Sequence, residues 1–155
     1  AAAFAAALSA VSADKRRLAC SSLGGCGETA TPHLPALLLA TGDEDLSVRS
    51  SATFALEKLK EAGVQPNDEQ RASAAAAFAA ALSAVSADKR RLACSSLGGC
   101  GETATPHLPA LLLATGDEDL SVRSSATFAL EKLKEAGVQP NDEQRASAAA
   151  AFAAA

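Results

Sequence analysis

Cysteine and histidine are the residue types in this chain that could support nucleophilic or metal chemistry. Cys26 and His33 are seven positions apart across a predicted turn, and the pair recurs as Cys100 and His107. A histidine beside a cysteine can activate a thiolate nucleophile, but two ligands do not complete a tetrahedral metal site. The chain has no HExxH or Cys-x-x-Cys spacing and no glycine-rich phosphate loop. We therefore expect no enzyme, no metal site and no bound cofactor.

The remaining cysteines, Cys20 and Cys94, lie six positions before Cys26 and Cys100. Two residues six apart on one helix are separated by about 240° around its axis, so their side chains face apart. Cysteine is among the residue types most often buried as a free thiol. We therefore expect buried free thiols rather than disulfides, in a reducing compartment.

The paired cysteines belong to a repeat that covers the whole chain. Phe4, Phe78 and Phe152 are each 74 residues apart. A fixed period of this length usually indicates a stacked array rather than one globular core. We therefore expect a single array of two identical units and the beginning of a third, which cover residues 1–74, 75–148 and 149–155.

Charge and hydropathy argue against several kinds of partner. The 14 basic and 18 acidic side chains give a net charge of −4, whereas a nucleic-acid-binding surface needs a basic face. The longest uncharged run, residues 72–87, is too short and too rich in alanine to span a bilayer, and no signal peptide is recognisable. We expect no nucleic acid, no membrane insertion and a cytoplasmic location, with other proteins or further copies of the chain as partners.

Capping signals predict four helices in each unit, and no segment has the alternation of a strand. Asn67 and Gln70 have the spacing of a capping box at the start of an alanine-rich helix. Thr105 is the expected N-cap of a helix with proline at its first position, and Gly137 is the expected end of another. The predicted helices cover residues 67–86, 89–100, 105–115 and 120–136.

Apolar spacing predicts which faces of these helices are buried. Arg90, Ala93, Leu97 and Cys100 share one face of the second helix. On the fourth helix the expected buried stripe consists of Val122, Ala126, Ala129 and Leu133, broadened by Phe128 and Leu130.

The segment LPALLLATGDEDLSVRSSATFALEKL, at residues 34–59 and again at 108–133, resembles the HEAT repeat and most closely its short form in phycobilisome lyases. The shared pattern is an early proline, a leucine-rich helix, an acidic turn and an arginine at the start of a second helix. Pro35, Asp45 and Arg49 hold these places. The resemblance implies an all-α fold, an α-solenoid of stacked HEAT-like helical hairpins, with two identical 74-residue units of four helices and a partial ninth helix.

The resemblance also implies a ladder between neighbouring hairpins, in which an acid of the turn bonds to the arginine that opens the second helix. In the other hairpin Arg17 takes the place of this arginine, with Asp14 as its partner, and Arg16 replaces the usual valine. A pair left on the surface would contribute little to stability. The implied ladder residues are Asp43, Asp45, Arg49 and Arg17 in the first unit and Asp117, Asp119, Arg123 and Arg91 in the second.

The alanine-rich helix has little charge on any side, and such a helix is usually buried on more than one side. Two interpretations stay open: it packs only against its own neighbours, or its outer face docks another chain. The given sequence starts and stops inside this helix, so we expect an unfinished stacking face at each end. A face that recurs on every unit generates a ring or an open filament. The candidate interaction face consists of Phe4, Phe78, Phe152, Leu8 and Leu82.

We expect a non-enzymatic structural or scaffolding protein that stacks end to end or forms part of a larger assembly. The alternative is an adaptor that binds a protein or peptide in a groove lined by the helices at 46–62 and 120–136. The resemblance to phycobilisome lyases raises a third function, an accessory to bilin attachment. A cleft that binds a bilin requires aromatic residues, and the chain has no Tyr or Trp.

Overall fold

The computed structural model describes residues 1–154, which form nine α-helices, two 3-10 segments and no β-strand. The all-helical fold predicted from the sequence is therefore confirmed. Within this described part, every helix is too short or too polar to cross a bilayer. The α-helices are α1 (Ala2–Ala7), α2 (Ala13–Leu23), α3 (Leu34–Ala40), α4 (Leu46–Glu61), α5 (Asp68–Ala81), α6 (Ala87–Gly98), α7 (Leu108–Ala114), α8 (Leu120–Glu135) and α9 (Asp142–Ala154), and the 3-10 segments are Gly27–His33 and Gly101–His107.

The chain divides into two compact units, Ala1–Ala74 and Ala75–Ala155, and the boundary falls within α5. In the first unit α2 and α3 pack against α4, and α1 packs against α2. In the second unit α6 and α7 pack against α8, and α9 packs against α7. Each unit is thus built around its longest helix, α4 or α8.

The apolar stripe of the longest helix forms the centre of each unit. Val122, Ala126, Ala129 and Leu133 of α8 are each at most 1% exposed. Their spacing of three or four positions places them on one side of the helix, so the predicted stripe is confirmed. The equivalent buried residues of α4 are Val48, Ala52, Ala55 and Leu59.

The end of α2 approaches α4 closely because Gly24 carries no side chain. A Cβ atom at Gly24 would lie 2.9 Å from the Cα of Ala55, closer than real Cβ atoms come to a backbone carbon. Gly98 stands in the same relation to Ala129 in the second unit. Glycine at these positions lets the two helices pack at the distance that buries the stripe.

The predicted capping box at Asn67 and the predicted helix end at Gly137 are confirmed. The side chain of Asn67 accepts the N–H of Gln70 at 2.8 Å, and the side chain of Gln70 accepts the N–H of Asn67 at 3.0 Å. Gly137 follows α8 with φ of +84°, a left-handed conformation that glycine adopts without strain and that ends many helices.

Two helix boundaries differ from the prediction. The alanine-rich helix ends at Ala81 rather than near Ser86, and α6 covers Ala87–Gly98 rather than residues 89–100. Ser86 has an extended backbone, and its hydroxyl accepts the N–H of Lys89 at 3.4 Å. Because Ser86 serves as the N-cap of α6, it is outside the preceding helix.

Thr105 does not cap the third helix, contrary to the prediction. Gly101–His107 forms a 3-10 segment, and α7 begins only at Leu108. The hydroxyl of Thr105 donates to the carbonyl of Glu102 at 2.7 Å. A hydroxyl that bonds to the preceding turn favours local turn structure over a helix start, and this explains the later beginning of α7.

Candidate functional site

A buried arginine joins three segments of the first unit. Arg16 of α2 is only 9% exposed. Its Nε and Nη2 donate to the two carboxylate oxygens of Asp43 at 2.7 and 2.8 Å. Its Nη1 donates to the carbonyls of Ala10 and Val11, both at 3.0 Å. We call this arrangement the clasp, because the charge-assisted bonds fasten the turn before α2 and the turn between α3 and α4 to the same guanidinium group.

The second unit contains the same clasp. Arg90 donates to the two carboxylate oxygens of Asp117 at 2.8 and 2.9 Å. It also donates to the carbonyls of Ala84 and Val85 at 3.0 and 2.9 Å. The close agreement between the two copies indicates that residues within one unit determine the clasp.

The clasp lowers the pKa of both aspartates. Burial pushes the pKa of Asp43 upward, but the hydrogen bonds from Arg16 and from the N–H of Asp45, together with the charges of nearby arginines, outweigh burial and leave the pKa below its ordinary value. For Asp117 the largest effect is the hydrogen bond from Arg90, and the pKa is again lowered. Both carboxylates are therefore ionised at neutral pH.

The residues predicted to form the ladder make different contacts, and the prediction needs correction. Arg49 donates to the main-chain carbonyls of Asp43 and Glu44 at 2.8 and 2.9 Å. Asp45 caps α4, with its carboxylate accepting two main-chain N–H groups. The carboxylate of Asp43 bonds to Arg16 instead of Arg49, so the arginine that opens α4 stabilises its own turn.

The ladder residues of the second unit follow the same pattern. Arg123 donates to the main-chain carbonyls of Asp117 and Glu118 at 2.8 and 2.9 Å. Asp119 caps α8 in the way that Asp45 caps α4. Two arginines therefore stabilise the turn between α7 and α8. Arg123 bonds to carbonyls of the turn itself, and Arg90 of α6 bonds to it through the clasp.

Arg17 and Arg91 lie outside the clasp. The Nε atom of Arg17 is 3.9 Å from Asp14, and that of Arg91 is 3.6 Å from Asp88. Both aspartates are largely exposed. Exposed pairs of this kind contribute little to stability, so these two arginines are surface residues.

Sequence reasoning missed Arg16 and Arg90 because it gave the pairing role to the next arginine in the chain. A signal was present, since Arg90 falls on the same predicted face as Ala93 and Leu97. A charged side chain on a buried face must find a partner. The position of that partner, 27 residues later in the chain, depends on the fold and is not visible in the local sequence.

The phenylalanines of the candidate interaction face differ in exposure, although each lies in the same local sequence, AAAFAAA. Phe4 is 42% exposed and Phe152 is 46% exposed, whereas Phe78 is 8% exposed. These phenylalanines belong to three separate helices, α1, α5 and α9. Leu8 and Leu82 are half-buried. The face is therefore available at Phe4 and Phe152 and largely covered at Phe78.

One side of α9 is packed and the other is open. A Cβ atom at Gly116 would run into the ring of Phe152, so this ring lies directly over the glycine. The side chain of Gln144 donates to the carbonyl of Thr105 at 2.8 Å. Residues 149–154 are nevertheless exposed. Contact with α7 thus leaves much of the alanine-rich surface of α9 in solvent.

The long helices α4 and α8 also present apolar side chains to solvent. Phe54 is 67% exposed and Phe128 is 66% exposed, with Leu46 and Leu120 at 67 and 68%. The prediction that Phe128 broadens the buried stripe is wrong. Adjacent helical positions are about 100° apart, so Phe128 is turned away from the side on which Ala129 is buried.

A shallow cavity of about 270 Å³ lies beside α8 in the second unit. Leu112 of α7 and Leu130 of α8 contribute apolar surface to it. Lys134 and Arg145 add positive charge, and Glu131 adds one negative charge. The cavity is therefore lined mainly by apolar surface, to which these three charged side chains are added.

Cys20 and Cys94 have the chemistry of buried structural cysteines. Burial raises the pKa of Cys20 and Cys94, both inaccessible to solvent, to about 11. Burial also raises the pKa of Cys100 to about 11, although Cys100 and Cys26 are only half-buried. Thiols with such values stay protonated at neutral pH and are weak nucleophiles. Among residues 1–154 all four cysteines are free, and no three His, Cys, Asp or Glu side chains group as a metal site would require.

Comparison with known proteins adds no relative to this description. No protein-family model matches the chain, and a search of curated proteins finds no significant match.

Proposed function

We propose that the chain is a non-enzymatic structural repeat protein, an α-solenoid of HEAT-like hairpins that associates end to end or forms part of a larger assembly. The observation that carries this proposal is the exposure of one repeated side chain. Phe4 and Phe152 are 42 and 46% exposed, whereas Phe78 at the equivalent position of α5 is 8% exposed. Burying the two exposed rings against further copies would remove apolar surface from water, which is favourable.

The repeated architecture of the units supports this proposal. α2 packs on α4 through Gly24 and Ala55, and α6 packs on α8 through Gly98 and Ala129. A stacked array needs units that repeat their internal geometry, because each interface must be reusable by the next unit. The clasp supplies such a fixed geometry, since it holds the same turns with nearly the same distances in both units.

The test is molar mass by light scattering across a concentration series, with negative-stain images of the same samples. End-to-end association predicts a mass that rises with concentration, and rods or rings in the images. A constant mass of 15.5 kDa at every concentration would overturn self-association. Phe54→Ser is a suitable control variant, because Phe54 is exposed and lies on α4 rather than on an alanine-rich helix, so the change should leave the mass series unaltered.

A second function, binding of a peptide or protein along α4 and α8, is favoured by a different observation. Phe54 and Phe128 are about two-thirds exposed, and exposed aromatic side chains are enriched in binding surfaces. Peptides selected from a random library on the full chain provide the test. We expect the double variant Phe54→Ser, Phe128→Ser to lose these peptides while keeping its helical content and its mass. Unchanged binding by the double variant would rule out this surface.

A further inference from the structure

The turn before each long helix presents a leucine and a glutamate to solvent. Leu120, the first residue of α8, is 68% exposed, and Leu46 of α4 is 67% exposed. Two positions earlier, the side chain of Glu118 is 89% exposed and that of Glu44 is 74% exposed. Each turn therefore carries an apolar side chain beside a carboxylate, and we call this pair of side chains the acidic knob.

The other acids of the turn already have partners within the unit. Asp117 is paired with Arg90 in the clasp, and Asp119 caps α8. Glu118 also approaches Arg90, with a distance of 3.4 Å between their nearest charged atoms, but an ion pair with a largely exposed partner contributes little. The carboxylate of Glu118 and the apolar surface of Leu120 are therefore available to a partner.

The cavity beside α8 has an apolar lining that suits such a leucine. Leu112 and Leu130 line the cavity and are half-buried, and Val138 lines it and is buried. An exposed leucine that moved from water onto this lining would remove apolar area from solvent on both sides of the contact. The hydrophobic effect therefore favours the occupation of the cavity by an apolar side chain.

The charged side chains of the cavity suit a carboxylate. Lys134 and Arg145 outweigh Glu131, so the lining carries a net positive charge. The Nε atom of Arg145 donates to the carbonyl of Pro140 at 3.1 Å, and both Nη groups remain able to donate to a ligand. In the part of the chain that the structure describes, every ion pair involves a basic residue other than Lys134 or Arg145. The cavity thus offers two cations to a ligand that carries a carboxylate beside an apolar group.

The first unit carries the same surface. Each residue that lines the cavity has an identical counterpart 74 positions earlier, and the two members of each pair agree in being buried, half-buried or exposed. Lys60 and Arg71 are the counterparts of the two cations, and the Nε atom of Arg71 donates to the carbonyl of Pro66 at 3.0 Å. The surface is therefore a property of the repeated unit and does not depend on the place of that unit in the chain.

We propose that the acidic knob of one copy docks in the cavity of a second copy of the chain. The leucine of the knob covers the apolar lining, and the glutamate bonds to the lysine and the arginine. Leu120 and Lys134 are 14 positions apart on α8, which is about 21 Å along the helix, so α8 cannot fill its own cavity. The contact therefore joins two different surfaces, and contacts of this type generate rings or open filaments.

The knob contact goes beyond the proposed end-to-end association, because the exposed phenylalanines of α1 and α9 take no part in it. The variant Phe4→Glu, Phe152→Glu removes those rings and separates the two contacts. We expect its mass in light scattering still to rise with concentration. If the parent chain associates and this variant stays monomeric, the knob contact is overturned and the association through the phenylalanines stands. If the variant associates as strongly as the parent, the knob contact is supported and the role of the phenylalanines fails.

Charge reversal in this phenylalanine variant tests the knob itself, with every change made in both units. The knob variant adds Glu44→Lys and Glu118→Lys, and the cavity variant adds Lys60→Glu and Lys134→Glu. Each alone should associate about tenfold more weakly, because charges of the same sign would meet. An equal mixture of the two should recover the association, because each knob then meets a cavity of opposite charge on the other variant. A mixture that associates no better than its components would overturn the proposal.

A matched control is the pair of changes Lys58→Glu and Lys132→Glu. Lys132 is exposed on α8 and does not line the cavity, so this pair should leave the association unaltered, and weakening equal to that of the cavity variant would overturn the proposal. The changes Leu46→Ser and Leu120→Ser together should weaken the association by about fivefold, because they remove the apolar part of the knob. No effect of the leucine changes would also overturn it. Circular dichroism of each variant checks that its helices are retained.

Discussion

α2 and α6 have the same sequence from Ala13 and Ala87 onward, yet they differ in burial at one leucine. Leu18 is 54% exposed and Leu92 is 6% exposed, while Arg16 and Arg90 are both 9% exposed. The clasp is therefore fixed by residues within each unit. The burial of the leucine is instead not determined by the residues of its own helix, because those residues are the same in α2 and α6. Identical sequence thus gives identical cores but different outer surfaces.

The largest expected effect is the loss of thermal stability when the clasp is removed, and this loss should be equal for the two units. Arg16→Ala and Arg90→Ala each leave an aspartate without its bidentate partner and two turns without their shared donor. Breaking a buried pair by removing one partner is strongly destabilising, and we expect the midpoint of thermal unfolding to fall by about 10 °C. Thermal melts followed by circular dichroism measure this. Arg17→Ala is the matched control and should change the midpoint by about 1 °C at most.

Truncation of the leucine to alanine should change the free energy of unfolding by different amounts at the equivalent positions 18 and 92. Leu92→Ala removes a buried side chain and should cost about 2.5 kcal/mol of unfolding free energy in urea titrations. Leu18→Ala should cost less than about 1 kcal/mol in dilute solution, because the side chain is more than half exposed. Equal losses for the two variants would mean that Leu18 is already buried in the monomer.

The clasp should also make stability depend on pH. The pKa values of Asp43 and Asp117 lie below those of the unfolded chain. Their stabilising contribution is therefore complete above the ordinary aspartate pKa of about 3.9 and is lost as the pH falls through the lower folded-state values. We expect the thermal midpoint of the wild type to fall more steeply below about pH 4 than that of the double variant Asp43→Asn, Asp117→Asn. Parallel slopes would show that other carboxylates dominate acid unfolding.

The smallest expected effect is at the exposed phenylalanines of the long helices. Phe54→Ser and Phe128→Ser remove side chains that are about two-thirds exposed, so each should change the unfolding free energy by about 0.5 kcal/mol or less. Urea titration of the two single variants measures this. A loss of about 2 kcal/mol or more at either site would mean that the ring packs on its unit.

Features that depend on neighbouring residues in the chain were predictable. The capping box at Asn67 and the buried stripe around Ala126 follow from spacing alone, because all the interacting atoms lie within a few turns of one helix. The pairing of Arg16 with Asp43 was not predictable in this way. This pairing requires α2 to contact the turn before α4, whereas the local sequence favours Arg17 for the pairing role. The apolar type of Phe128 predicts burial, but its angular position on α8 places the ring in solvent.

Hydrogen exchange at low and high protein concentration tests the central claim most directly. Exchange reports how often each helix opens to solvent, and the different flanking residues distinguish peptides from α1 and α9. If association buries the exposed phenylalanines of the alanine-rich helices, protection of α1 and α9 should rise with protein concentration. Unchanged protection of both helices across the concentration range would contradict the account.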